Sequence, residues 1–360
     1  MKILMITSNF KPLTIGGVIY NYKLYNYLKN KFQNIEAITH DDTPFKFKFG
    51  FVLNNIWFLI KILKIKKKPL VIIENSARSA DLFFCNLILS NVIKKNIKII
   101  TLVHHTYFQS NNTIKSTMES FFESLLLNNS DAIIVISEFM KNEVKNILKY
   151  DKNILVAPPG LDKSKSKYIP KTELSRETLN LLYVGAVRPI KDIKTLLMAL
   201  NILINDYKLN NIKLEIVGDI EEDKEYAKRM LEYVREKGIE RNIQFHGRVN
   251  EKKLAWFYSN SDIFVFPSLW EGFGMVLIEA MYNKLPIIAT NVGPIPYIVK
   301  DEEYGILFPP KDHKKMADAI RRLINSQELR EKYGMCGYEF ALEFDWDKTF
   351  KKIAEFMCLK

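Results

Sequence analysis

Cysteine is scarce and poorly placed for chemistry: Cys85, Cys336 and Cys358 are the only three in 360 residues, an odd number at distant positions. Neither a disulfide framework nor the paired spacing of a zinc site can be drawn through them, so idle thiols in a reducing compartment are expected. No run of 18 apolar residues occurs, which leaves no candidate for a hydrophobic membrane-spanning helix. The segment MKILMITSNF, followed by Lys11-Pro12, lacks a small-residue cleavage site and is expected to be a first strand rather than a leader. Internal repeats, low-complexity tracts and recognised nucleic-acid motifs are missing too, and no nucleic-acid partner is expected.

What is present is alternation. Apolar runs of strand length occur at Ile3–Thr7, Ile35–Ile38, Leu70–Glu74, Ile97–Val103, Ala132–Ile136 and Ile154–Ala157. Six more follow at Leu179–Val184, Ile212–Val217, Ile243–Phe245, Ile263–Pro267, Ile287–Ala289 and Gly305–Phe308. Helix-length segments separate them, the pattern of parallel sheets in two doubly wound α/β domains, and the chain is too long for one core. The composition breaks at Pro158-Pro159-Gly160 and the polar, turn-rich stretch after it. The expected division is a first domain over 1–160, a linker over 161–176, a second domain over 177–337 and a final helical segment over 338–360.

The chemistry concentrates in DIFVFPSLWEGFGMVLIEAMYNKLPIIAT, residues 262–290. An apolar strand ends at Pro267-Ser268, a Gly272-Phe273-Gly274 turn follows, and helical spacing begins at Met275. Glycines let backbone approach a ligand, and the free amides of a helix start favour an anion such as phosphate. Glu271 lies before the helix and Glu279 about one turn into it. That spacing does not suit the facing carboxylate pair of a glycoside hydrolase. It suits a ligand with hydroxyls at both ends and phosphates between them, as in a nucleotide sugar.

With Ser268, Glu271-Gly272-Phe273-Gly274 and Glu279-Ala280 in place, the chain resembles the retaining family-4 glycosyltransferases. The resemblance implies a GT-B fold, with two Rossmann-like domains facing a central cleft and a C-terminal helix crossing back to the first. It implies that Glu271 faces the transferred sugar, that Glu279 holds the ribose hydroxyls, and that amides of Phe273, Gly274, Met275 and Val276 contact sugar and diphosphate. Gly16-Gly17 matches a loop facing the diphosphate and acceptor, and His105 matches a histidine facing the donor sugar. YVGAVRPIKDIKTLLMAL, residues 183–200, matches the segment whose cations, here Arg188 and Lys191, hold the phosphates. FHGRV, residues 245–249, matches the loop that reads the base, which brings in Arg248 and Val249. The implied reaction moves a hexose from a UDP- or GDP-sugar to a hydroxyl of a glycan or lipid-linked glycan, with neither metal nor bound cofactor.

Some positions depart from the family pattern. Ala186 stands where arginine is usual, Lys284 where glycine precedes the proline, Pro294 for the second glycine of a pair, and Tyr297 for a glutamate. An epimerase of the same fold and a catalytically silent binder of sugar nucleotides are the alternatives these departures leave open.

Charge is uneven. Residues 1–160 carry 21 Lys/Arg against 11 Asp/Glu, whereas residues 161–360 carry 32 against 30. The densest part, residues 44–69, has seven lysines, no acid and many large apolar residues. It reads as a core helix feeding the strand at Leu70, or as a helix lying on an anionic bilayer, and one helix can serve both ends. The location expected is cytoplasmic, peripheral on the inner face of the cell membrane.

Overall fold

The computed structural model describes residues 2–7, 16–39, 42–44, 50–65, 70–76, 82, 86–89, 97–105, 114–162 and 178–358. Most of the expected linker, Cys85, and Lys46, Lys48, Lys66, Lys67 and Lys68 lie outside them. The chain forms two compact units, residues 1–159 with 346–360, and residues 160–345.

In the first unit, strands β1 (Lys2–Ile6), β2 (Ile35–Ile38), β3 (Leu70–Asn75), β4 (Ile97–Val103), β5 (Ala132–Val135) and β6 (Asn153–Val156) form one sheet. Its order is β2-β1-β3-β4-β5-β6 with every pair parallel. Helices α1 (Gly16–Lys31), α2 (Gly50–Leu63), α3 (Ile114–Asn128) and α4 (Glu138–Ile147) connect them. Central strands β3 and β5 are buried along their whole length, whereas the edge strands β2 and β6 are partly open. That is why the central strands read as unbroken apolar runs in the sequence. Phe58 and Ile62 of α2 join Leu4, Ile38 and Ile72 in one core cluster on the sheet.

The second unit repeats the plan with β7 (Leu179–Val184), β8 (Ile212–Val217), β9 (Ile243–Gly247), β10 (Ile263–Phe266), β11 (Ile287–Thr290) and β12 (Gly305–Phe308). The order is β12-β11-β10-β7-β8-β9, again all parallel. Its helices are α5 (Ile193–Asn201), α6 (Lys224–Glu236), α7 (Glu251–Asn260), α8 (Met275–Tyr282), α9 (Ile295–Val299), α10 (His313–Asn325) and α11 (Gln327–Ala341). Four of these helices begin at acceptor side chains that the sequence supplies: Asp223, Asn250 and Asp312 each take a backbone N–H at 2.9 Å, and Ser326 takes one at 3.2 Å.

The last helix, α12 (Trp346–Cys358), belongs to the first unit. Tyr20 meets Trp346 and Phe350 edge-on at 5.5 and 5.7 Å, and Thr349 donates to the Pro158 carbonyl at 2.9 Å. The returning segment therefore starts at Trp346 and not at residue 338. Residues 338–345 stay with the second unit because α11 packs on α8 and its surroundings: a Cβ at Gly334 would lie 2.3 Å from the Lys284 carbonyl, and Phe344 packs on Phe273. Lys284 itself has φ 59°, a left-handed conformation that favours glycine, the residue the family resemblance leads one to expect there. Among the described residues no helix is long and apolar enough to cross a membrane.

One buried acid loads the first core. Glu74 at the end of β3 accepts from Asn86 at 2.6 Å and Thr101 at 2.8 Å through Oε1, while Oε2 has no partner among the described residues. Burial pushes its pKa up to about 7 despite those two hydrogen bonds, and the charge of Asp131 adds to the rise. A raised folded-state value makes the folded form bind the proton more tightly than the unfolded chain. Its stabilisation is complete below about pH 4.5 and is lost as pH rises through about 7, on the order of 3 kcal/mol in all. Glu74→Gln is thus expected to raise the thermal midpoint relative to the unmodified chain at pH 8, with the gap shrinking steadily toward pH 4.5. A gap that does not change with pH would reject this account.

Candidate active site

In an open parallel sheet, ligands bind beyond the strand C-termini where the strand order reverses. In the second sheet that point lies between β7 and β10, since β8 and β9 extend to one side and β11 and β12 to the other. The segments leaving those two strands carry Lys191 and Glu271. The backbone ties them together, with the Leu269 N–H donating to the Ile190 carbonyl at 2.8 Å. Lys191 Nζ donates to Glu271 Oε1, and both side chains are mostly shielded, at 15% and 12% exposure. Ser268 Oγ, fully buried, lies 3.0 Å from the same carboxylate oxygen. Beneath the pair, the Phe266 ring lies 5.5 Å from the Lys191 ammonium and stacks on Tyr183. This is a cation and a carboxylate held in a preset geometry at the rim, with an aromatic floor.

Three glycines line the neighbouring strand ends: Gly185 after β7, Gly218 after β8 and Gly247 at the end of β9. Gly218 is required by close approach, because a Cβ there would fall 1.9 Å from the Gly185 carbonyl oxygen. On the other side of the switch, Gly274 adopts φ 93° to start α8, and no side chain among the described residues caps that helix. A helix start left without a side-chain acceptor carries amides and dipole suited to an anion. Phe273 sends its ring inward, 5.9 Å from Phe344, so what it can offer a ligand is its backbone.

Glu279 lies one turn into α8, and its Oε2 accepts from the Tyr258 hydroxyl at 2.8 Å. Tyr258 is fully buried on α7, and burial together with the Glu279 charge holds its hydroxyl protonated well above the usual tyrosine range. The carboxylate is therefore oriented by a permanent donor. Nothing in the spacing of the sequence marked Tyr258.

The two arginines expected on the nucleotide turn toward an acidic loop after β8. Arg188 Nη1 pairs with Glu222 at 2.6 Å, and Arg248 Nε and Nη2 both reach Asp219 Oδ2, at 2.9 and 2.6 Å. Arg188 is 42% exposed, so Lys191 is the inner cation and Arg188 the outer one. The Arg188 Nε is nevertheless buried and has no partner among the described residues. Val249 follows Arg248 in the loop after β9 and is half-buried. The acidic run Asp219 to Asp223 is visible in the sequence, but nothing in it says which arginines it takes.

In the first unit, Gly16 and Gly17 open α1. A Cβ at Gly17 would touch the His104 ring at 3.4 Å. His104 is buried: its Nε2 bonds to Asn21 Oδ1 at 2.9 Å, and Asn21 donates onward to Thr7 at 2.7 Å. Burial, and secondarily the charge of His105, lower its pKa to about 3, so it is a neutral structural group. His105, the next residue, is partly open, and burial lowers its pKa as well.

Comparison with known proteins places these features in a family context. The family described as Glycosyltransferase Family 4 matches residues 23–165, and that described as Glycosyl transferases group 1 matches residues 164–340. An uncharacterised glycosyltransferase of Methanocaldococcus jannaschii is 31% identical over 229 residues, 63% of this chain and 59% of that protein. The chain thus spans about three fifths of that relative's length. Sucrose-phosphate synthase from Thermosynechococcus elongatus superposes with a TM-score of 0.77 at 20% identity, covering 99% of this chain and 98% of that one. The Anabaena protein HepE, solved with UDP and also with UDP-glucose, gives 0.76 in its UDP complex at 16% identity, with 99% of each chain covered. At such identities the structural likeness speaks for the fold.

Proposed function

Because the chain belongs to the family-4 glycosyltransferases of GT-B fold, we propose that it moves a hexosyl group from a nucleoside diphosphate sugar to an acceptor hydroxyl with retention of anomeric configuration. The observation that carries this reading is the Lys191–Glu271 pair at the strand-order reversal, beside a helix start without a side-chain cap. Breaking the sugar–phosphate bond builds negative charge on the departing diphosphate. Lys191 and the amides of Gly274, Met275 and Val276 meet that charge, so no metal is required of the protein. Arg188 adds a second cation once it leaves Glu222, and its buried Nε gains an acceptor in the process.

When the diphosphate takes Lys191, Glu271 is released to accept hydrogen bonds from sugar hydroxyls, and Ser268 keeps it aimed. Glu279, held by Tyr258, accepts from the ribose hydroxyls. Gly272 leaves room for the sugar, while Arg248 and Val249 border the base. With no carboxylate assigned as a covalent nucleophile, the departing phosphate oxygen takes the acceptor proton on the face that the leaving group vacates. The roles of His105, Gly16 and Gly17 rest on the family resemblance alone. The acceptor class that fits the resemblance is a glycan or lipid-linked glycan.

Calorimetry with UDP-, GDP- and ADP-sugars tests the donor. Heat with at least one is expected, followed by nucleotide release in the presence of acceptor and undiminished by EDTA. Silence with all of them rejects the reading, and conversion of donor to its epimer without transfer replaces it by the epimerase alternative. A finer test concerns Glu279. Tyr258→Phe removes its oriented donor and is expected to weaken binding of the free nucleotide about fivefold, the worth of one buried hydrogen bond. Unchanged nucleotide affinity would remove Tyr258 from the site.

A further inference from the structure

Helix α2 is apolar on two opposite sides. Phe58 and Ile62 are buried in the core cluster of the first unit, with Asn54 and Asn55 buried on the same side. Leu53, Ile56, Ile60 and Leu63 recur at the helical period on the other side, and each is 40–48% exposed. A single exposed leucine needs no explanation, but four large aliphatic residues in one stripe mark a surface made to be covered.

The stripe has cationic company. Lys61 and Lys64 lie on the same helix and its end, Lys61 over the Trp57 ring at 4.6 Å. Both help line a depression of about 480 Å³ at the C-terminal end of α2, together with Lys2, Asn34 and Glu36. Glu36 is held there by Lys2 at 2.8 Å. In the sequence, Lys46 and Lys48 precede the helix and Lys66, Lys67 and Lys68 follow it, with no acid between residues 44 and 69.

Aliphatic side chains bordered by ammonium groups complement a bilayer surface with anionic headgroups. The acyl boundary takes the leucines and isoleucines, and the phosphates meet the lysines. A second copy of this chain fits less well, since a two-fold contact would set this lysine-rich segment against its own copy with no acid in either to answer the charge. We propose that α2 docks this protein on the surface of a bilayer rich in anionic phospholipid. Leu53, Ile56, Ile60 and Leu63 enter the headgroup–acyl boundary, and Lys61 and Lys64 sit on lipid phosphates. This docking is independent of the transfer reaction.

The test is sedimentation of the full chain with vesicles of phosphatidylcholine alone and of an equimolar mixture with phosphatidylglycerol. Binding to the mixed vesicles, weak or no binding to the neutral ones, and loss as sodium chloride is raised are expected. Ile56→Ser combined with Ile60→Ser, and separately Lys61→Gln combined with Lys64→Gln, should each lower the partition coefficient roughly tenfold. Circular dichroism and an unchanged thermal midpoint confirm that these surface variants fold. No binding by the unmodified chain overturns the proposal. So does a serine variant that binds as tightly as the parent, because adsorption would then be by charge alone, and so does an undiminished glutamine variant. A dimer in sedimentation velocity that the serine variant abolishes, without vesicle binding, also overturns it by showing the stripe to be an interface between copies.

Discussion

Lys191→Met is expected to lower kcat at least about a hundredfold while the second unit stays folded. A single preorganised group facing charge that develops in the transition state contributes on the order of 10² to 10³ in rate. Lys191 is the inner of the two cations assigned to the diphosphate, at 15% exposure against 42% for Arg188. The substitution also strands Glu271, which is 12% exposed and is left with the hydrogen bond from Ser268. An unaccompanied carboxylate so close to the phosphates would repel them, and donor affinity should fall with the rate. Lys191→Arg keeps the charge but cannot keep the geometry of a point cation over Phe266, so partial activity is expected from it. Steady-state kinetics, calorimetric donor affinity and the thermal midpoint separate these effects. A methionine variant within threefold of the parent in kcat would remove Lys191 from the mechanism.

Gly218→Ala should cost the second unit several kcal/mol and abolish nucleotide binding with it. The added methyl group would meet the Gly185 carbonyl oxygen at 1.9 Å and the carbonyl carbon at 2.5 Å. Both obstacles are backbone, in the strand that leads to Lys191, so relief requires β7 and β8 to part at their C-terminal ends. Overpacking of this kind costs about 1–3 kcal/mol, the φ of 150° at Gly218 adds a backbone penalty, and a unit of this size loses roughly 2–4 °C of midpoint per kcal/mol. Gly238→Ala is the uncrowded comparison. It has φ 66° but nothing within 4 Å of the new Cβ, so it carries only the left-handed backbone penalty of about 1 kcal/mol. Urea unfolding of the two variants should differ clearly in midpoint. Equal midpoints would reject the close approach to Gly185 as the reason for glycine at position 218.

The architecture was legible because parallel strands covered on both faces are written as uninterrupted apolar runs. All twelve expected runs are strands, and Ile35–Ile38, Ile97–Val103, Leu179–Val184, Ile212–Val217 and Gly305–Phe308 agree to the residue. Where bounds slipped, the cause is local: Pro267 lacks the N–H to continue β10, and Asn75 extends β3 although it is polar, because it is buried beside β4. The rim around Glu271 was legible for a similar reason, since glycines and a helix start in sequence imply backbone geometry in space. Side-chain partnerships were not. That Lys191 would take Glu271, that Arg188 and Arg248 would turn to Glu222 and Asp219, and that Tyr258 would hold Glu279 depends on which strand ends become neighbours. Separations of 21 to 80 residues carry no periodic signal of such meetings. The adjacent histidines show the same limit: only the reach of Asn21 from α1 marks His104 as structural.

The placement of α12 has a temporal side. Tyr20 leaves the ribosome before any of the second unit, yet two of the rings that surround it, Trp346 and Phe350, are made after the whole of that unit. The lobe begun first is thus finished last. During synthesis it waits with part of its aromatic interior uncovered, while residues 160–345 already have every strand of their own sheet. A ribosome that stalls near residue 345 would release one complete lobe and one that still lacks its closing piece, a natural substrate for chaperone or protease.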